Sequence, residues 1–422
     1  HYDDINHTVT HNLFVESDRK SGRTYEGLKG WWSGEHEGYW KDSVVRMAYL
    51  LDYAPAKERA DEWIDNILQS TGPSGYIGIY AKGDEPNCRY RHKGKNGELW
   101  TQSRIFMAML AHYEFTGEEK VLNAVKDAVH RSMDAYRDRN PFDGPNRSGG
   151  ISHAVGFFEV LEWLYRITEN EAYLDFAVKL YKDFNKTPPR DDDLTVAQLQ
   201  NMGKKFEYHG AHIAEGLFVP RFIAEITGEA KHKTAARNVM KKLAYHISPG
   251  GAMICAEDVH QNRGTADRLY EYCSNVELIN PLSLIAAMQG DLSVADRIEK
   301  MTFNALQGAR LHPSLKALSY LTSDNRIRTP PGRHGGKESY DACHSAAACC
   351  TLNGGRLMPY YVQNMWMKNG AGKGVTAVLY GPSTLETTIG GTPVKIRQKT
   401  QYPCSDEVVF DIKVAEPTKF DL

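Results

Sequence analysis

One local pattern is written five times along this chain. An amphipathic helix runs into a short polar turn, and a second amphipathic helix follows. The copies are "YWKDSVVRMAYLLDYAPAKERADEWIDNIL", "FMAMLAHYEFTGEEKVLNAVKDAVHRSMDAY", "FFEVLEWLYRITENEAYLDFAVKLYKDF", "EGLFVPRFIAEITGEAKHKTAARNVMKKLAYHI" and "NPLSLIAAMQGDLSVADRIEKMTFNAL". Apolar residues recur at the helical period on both sides of each turn. The turn carries Gly, Asn or Asp, then acidic residues that suit the positive end of the second helix. The copies recur about every 50–60 residues, the scale of a repeated supersecondary unit. With "RLMPYYVQNMWMKN" read as a sixth copy, the pattern predicts a mainly α fold, an α/α toroid with inner helices around a core and outer helices wrapping it. An open α-solenoid shares the same local pattern. Long loops rich in His, Glu, Trp and Gly favour the closed ring, where loops at one end form a cleft.

Near the C-terminus the period changes. "VKIRQKT" and "VVFDIKV" alternate apolar and polar residues, as half-buried strands do, and Gly390, Gly391 and Pro393 punctuate them. The expected division is a helical barrel over residues 1–371 and the start of a β domain over residues 372–422. The chain ends at "PTKFDL", where another strand begins. A β-sandwich-type domain here is therefore expected to be pared down or cut short.

Charge excludes some partners. The net charge of −2 favours neither nucleic acid nor an anionic membrane surface. No apolar run approaches the roughly 20 residues of a membrane span. The chain opens on His1 rather than Met. A leading segment is expected to have been removed, which makes the expected location periplasmic or secreted.

Seven cysteines lie at 88, 255, 273, 343, 349, 350 and 404. Their odd number and wide scatter do not make a disulfide scaffold. Cys349 and Cys350 are adjacent, and a bridge between neighbours is strained. Both thiolates can, however, reach one soft metal ion. Upstream, "LYEYCSNVE" sets Glu271 and Cys273 two residues apart. In an extended segment both point to one side. Glu271, Cys273, Cys349 and Cys350 would complete a four-ligand zinc site. Spacing alone leaves a second reading open, in which Cys273 and one of the pair are small buried apolar residues.

The stretches "GEHEGYWKDSVVRMAYLL", "FEYHGAHIAEGL", "HISPGGAMICAEDVHQ", "YEYCSNVELI" and "ACCTLNGGR" follow one another in this order. In that order the chain resembles glycoside hydrolase family 127, the β-L-arabinofuranosidase-like proteins. The most specific part is E-x-C followed by C-C-x-x-N-x-x-R. The resemblance implies an (α/α)6 barrel followed by β-sandwich domains. It implies Zn2+ as the cofactor, held by Glu271, Cys273, Cys349 and Cys350. It makes Cys349 the nucleophile as well as a ligand, and Glu257 in "GGAMICAEDVH" the general acid/base, with Asp258 the competing carboxylate. His212 in "HGAHIAEG" matches a family histidine that binds the sugar ring. His36, His153 and Glu98, beside Trp100, sit in positions that would face the cleft. Asn353 and Arg356 are expected to brace the loop after the cysteines.

The chemistry is coherent. A thiol with an ordinary pKa near 8.5 is mostly protonated at neutral pH, and zinc favours the thiolate. A retaining glycosidase needs a nucleophile on one side of the anomeric carbon and an acid beside the leaving oxygen. Here a thiolate would stand in for one carboxylate. The implied substrate is an oligosaccharide or polysaccharide side chain of plant or microbial glycans. Departures surround the sugar pocket: Thr351 replaces the family's proline, Cys343 is an extra thiol, and "SHAVGFF" replaces the usual Gly-His pair. Two rival readings use the same toroid. One is an unsaturated-uronide hydrolase or polysaccharide lyase with a structural zinc. The other is a glycan-binding protein without catalysis.

Overall fold

The computed structural model describes residues 12–21, 31–83, 88–91, 97–143, 149–290, 292–309, 318–325, 348–370 and 372–422. Five helical hairpins follow the five sequence copies. They pair Trp31–Leu50 with Ala54–Thr71, Glu98–Thr116 with Glu119–Ala135, and Phe157–Thr168 with Ala172–Lys186. Val219–Thr227 then pairs with Ala230–Tyr245, and Ile279–Gln289 with Ser293–Lys300.

Burial separates inner from outer members. In Glu119–Ala135 the buried residues are Val121, Leu122, Val125, Ala128, Val129 and Ser132, a single stripe. Its inner partner is buried on every side, from Glu98 through His112 without interruption. A helix buried all round lines a core, and a striped one covers it.

The turns share one device. Asp52, Gly117, Glu169, Gly228 and Gly290 all have φ between 51° and 71°. In the last four, the backbone N–H donates to the carbonyl four residues earlier, closing the end of the inner helix.

The ring closes. Leu357–Gln363 packs against both Ile279–Gln289 and Trp31–Leu50. An open solenoid would leave its last repeat away from its first. The sixth copy is nevertheless incomplete as a hairpin. Its second half, Trp366–Lys368, is a strand (β3) paired with Val375–Ala377 (β4), not a helix. Trp366 is drawn away from the helical layer by Phe410, with ring centroids 5.9 Å apart. Beyond it, β5 (Ser383–Ile389), β6 (Thr392–Thr400) and β7 (Val408–Val414) form an antiparallel sheet. Gly390 and Gly391, both at positive φ, make the β5–β6 hairpin turn. Among the described residues no helix is long and apolar enough to cross a membrane.

The first two inner helices approach closely because of two glycines. A Cβ on Gly34 would lie 2.7 Å from Thr101 Cγ2, and one on Gly38 would lie 2.4 Å from Arg104 Cβ. Gly38→Ala should therefore lower stability by about 1–3 kcal/mol, as overpacking of a dense core does. Denaturant unfolding measures it, and a change within experimental error would mean the two helices can part freely.

Candidate active site

Four inner members are broken near their start. Gly149–Gly156, a 3-10 turn, precedes Phe157–Thr168, and Gly210–Glu215 precedes Val219–Thr227. Tyr272–Val276 precedes Ile279–Gln289, and Ala348–Gly354 precedes Leu357–Gln363. The short leading pieces carry His153, His212, Cys273, and Cys349 with Cys350. Three of the restarted helices hold a proline in their first turn: Pro220, Pro281 and Pro359. There its missing N–H breaks no bond, whereas in an unbroken helix it would.

Glu271, Cys273, Cys349 and Cys350 converge. One donor atom from each lies within 4.8 Å of all the others. The sequence expectation of an extended Glu271–Cys273 segment holds for half its length. Glu271 ends β1 (Tyr270–Glu271), which pairs with β2 (Leu321–Thr322), and the chain turns helical at Tyr272. Cys350 Sγ lies 3.8 Å from Glu271 Oε1, and Ser274 Oγ donates to Glu271 Oε2 at 3.0 Å. Three soft sulfurs and one carboxylate oxygen suit tetrahedral zinc, whose sulfur ligands stand about 3.8 Å apart. The residues present therefore fit the metal.

The four donors are not equivalent. Glu271, Cys273 and Cys350 are at most 3% exposed, while Cys349 is half-buried. Hydrogen bonds from the Cys273 and Cys350 thiols hold the Cys349 thiol well below its usual range. Burial pushes Cys273 and Cys350 well above theirs. The cluster thus favours one thiolate, on the least buried of its three cysteines.

Glu257 stands at the edge of this cluster, in a left-handed conformation with φ of 69°. Its carbonyl accepts the Gly210 N–H at 2.7 Å and faces His209 Nδ1 at 3.0 Å. The Tyr320 hydroxyl donates to its carboxylate. Its negative charge is close enough to Cys349 to oppose the thiolate. Asp258, its sequence rival, is 5% exposed and bound to the Arg190 guanidinium at 2.6 Å.

The histidines form a second group. Donor atoms of His153, His209 and His212 lie within 4.8 Å of one another. His153 Nδ1 meets Glu215 at 3.0 Å, and the ring stacks on Trp100 with centroids 4.2 Å apart. Burial lowers His153 and raises Glu215, so the pair is held as a neutral hydrogen bond. His212 Nδ1 lies 3.2 Å from Asp191, which also accepts from Ser152 Oγ at 2.6 Å. His209 joins the two groups, with Nδ1 3.9 Å from Glu271 Oε2. His36 is buried near enough to Cys349 to lower its thiol. Glu98 belongs to a different network: it accepts from the Tyr76 hydroxyl at 2.6 Å and from the Tyr90 N–H at 3.0 Å. Cys343 lies outside the described residues.

Below the thiols runs a buried ion network. Arg356 binds Glu277 at 2.6 Å and Asp42 at 2.9 Å, and Asn353 donates to Glu277 at 3.0 Å. Arg104 bridges Glu277 and Glu159 at 3.2 and 2.8 Å, and Asp42 holds Arg46 at 2.7 Å. Three arginines match three carboxylates, so the charges balance. Asn353 and Arg356 thereby tie the Cys349 helix to the barrel floor. Arg104, Tyr320 and Asp191 lie outside the quoted stretches, and Asp42, Glu215 and Glu277 lie inside them without a role assigned from sequence. Apart from the Asp42–Arg46 pair within one helix, their partners lie dozens to hundreds of residues away.

The catalytic-domain profile of the β-L-arabinofuranosidases, GH127, matches residues 1–363. A GH127 β-L-arabinofuranosidase from Geobacillus stearothermophilus T6 superposes with a TM-score of 0.72 at 17% identity, over 97% of this chain and 67% of that one. A structure described as a glycoside hydrolase gives 0.69 at 16%, over 95% and 65%. A GH127 β-arabinofuranosidase gives 0.63 at 16%, over 97% and 67%. At these identities the likeness concerns the fold, and the chain spans about two thirds of those chains. No curated protein matches it.

Proposed function

The chain belongs to glycoside hydrolase family 127, and from that premise we propose that it is a retaining β-L-arabinofuranosidase-type enzyme acting on glycan side chains through Cys349 and Glu257. One observation carries the reading. Of four converging metal-type donors, only Cys349 is both partly open to solvent and favoured as a thiolate.

In the proposed reaction the Cys349 thiolate attacks the anomeric carbon. The carbon–sulfur bond forms as the glycosidic carbon–oxygen bond breaks, and protonated Glu257 gives its proton to the leaving oxygen. Water then attacks the same carbon while the Glu257 carboxylate takes its proton, and the thiolate departs. Net retention follows from two inversions. The Tyr320 hydroxyl orients Glu257. Trp100 and Glu215 fix the His153 ring, and Asp191 fixes His212, so both can meet sugar hydroxyls in set orientations. Zinc held by Glu271, Cys273, Cys349 and Cys350 would supply positive charge that keeps Cys349 ionised.

Metal analysis of the purified, reduced protein should give about one zinc per chain, as a single four-ligand site requires. Cys273→Ser and Cys350→Ser should each lower that content. Full zinc in both variants would remove the site. A screen of aryl furanosides and pyranosides, with and without a strong chelator, then tests the activity and its sugar.

A further inference from the structure

Asn275 is a buried amide that the mechanism above does not use. It lies in the short helix Tyr272–Val276, two residues past Cys273, and is fully buried. Its side chain makes three hydrogen bonds, all to backbone. Oδ1 accepts the Met253 N–H at 2.7 Å. Nδ2 donates to the Met253 carbonyl at 3.1 Å and to the Glu271 carbonyl at 3.0 Å. One side chain thus holds both backbone groups of Met253, four residues before Glu257.

Register explains why a side chain is needed there. The Cys255 N–H donates to the Leu269 carbonyl at 2.9 Å. Two residues back on one segment and two forward on the other, Met253 falls opposite Glu271, as in an antiparallel pair. The chain turns helical at Tyr272, so the backbone pairing stops, and the Asn275 amide joins the two residues instead. A primary amide offers the same acceptor and donor as a peptide group. Without it, buried backbone groups of Met253 would be left unpaired, at a cost. The seam is also tight from a third side. A Cβ on Gly210 would lie 2.6 Å from Cys255 Sγ and 2.9 Å from Ser274 Oγ.

The two segments carry different halves of the chemistry. Met253 leads into Glu257, while Glu271 and Cys273 converge with Cys349 and Cys350. A retaining glycosidase works with its acid/base and its nucleophile at a set separation. A shift of about 1 Å costs on the order of 100-fold in rate. We propose that Asn275 is a positioning residue that sets the separation between Glu257 and the Cys349 cluster. The proposal rests on the glycosidase reading and deepens it. Asn275 acts through the backbone of Met253 and Glu271, not on the sugar.

The test uses the full chain and compares kcat/KM for 4-nitrophenyl and methyl β-L-arabinofuranosides, with zinc content alongside. The methyl glycoside needs a well-placed acid, whereas the nitrophenyl one hardly does. The ratio of the two values is independent of the fraction of protein that folds, so a purely structural loss cancels. Asn275→Ala should keep about one zinc per chain. Its kcat/KM should fall about 100-fold on the methyl glycoside and less than about tenfold on the aryl one. Asn275→Asp keeps the volume and the acceptor but loses both donated bonds, and its ratio should shift in the same direction. An unchanged ratio in both variants, however far the two rates fall, would make Asn275 a structural residue only, and the proposal would be wrong. So would a shifted ratio accompanied by loss of zinc. A wild-type protein that turns over neither furanoside would overturn the β-L-arabinofuranosidase reading, and this proposal with it, before any Asn275 variant is made.

Discussion

Cys349→Ser, loaded with zinc, should lose activity by about 1,000-fold or more, because the proposed nucleophile is gone. An alcohol ionises far less readily than a thiol and binds zinc weakly. The neighbouring Cys350→Ser should behave differently. Cys350 is fully buried and touches Glu271, so its loss should weaken metal binding, with turnover partly restored by excess zinc. A cysteine-reactive arabinofuranose analogue should label Cys349 in the wild type, since of the three cysteines in the cluster it is the least buried and the one favoured as a thiolate. Labelling at Cys350, or an active Cys349→Ser enzyme, would reassign the zinc as structural. The uronide-hydrolase and lyase readings then return, because their chemistry needs no thiolate.

Glu257→Gln should produce the second large effect, and its pattern matters more than its size. Loss of a general acid costs about 10²–10⁴-fold when the leaving group needs a proton. An alkyl or sugar leaving group needs it, whereas a nitrophenolate hardly does. Glycosylation with the aryl substrate should therefore survive within about tenfold, while natural linkages fail. Azide, which needs no base to attack, should accelerate breakdown of the sugar–enzyme intermediate in the variant. Equal losses on both substrate types would assign Glu257 a structural role through its carbonyl, which already holds the Gly210 N–H. Asp258→Asn should not reproduce the pattern, because that carboxylate is engaged with Arg190.

Much of the fold was legible because helical hairpins are local. Apolar spacing, turn residues and acidic starts are written within about 30 residues, and all five expected hairpins are present. The sixth misled because "MPYYVQNMWMKN" has helical apolar spacing, yet Trp366 finds its partner Phe410 in the β sheet. The breaks in the inner helices have a visible signal in the sequence. Pro220, Pro281 and Pro359 stand where an unbroken helix would lose a hydrogen bond. Those breaks separate the short pieces bearing the cysteines and histidines from the long helices behind them.

Local sequence wrote the hairpins and the turn chemistry, and E-x-C with the paired cysteines pointed to four metal-type donors. Ring closure, with Leu357–Gln363 against Trp31–Leu50, came from tertiary packing. Closure brings Glu271 and Cys273 to Cys349 and Cys350. It also decided which cysteine is half-buried and which two are fully buried. The reason is physical. Periodicity reports which face of a helix is buried, because neighbours three and four residues apart share that face. It carries no information about which distant carboxylate meets which arginine. The pairing of Arg356 with Asp42 across more than three hundred residues exists only because the barrel wall is continuous.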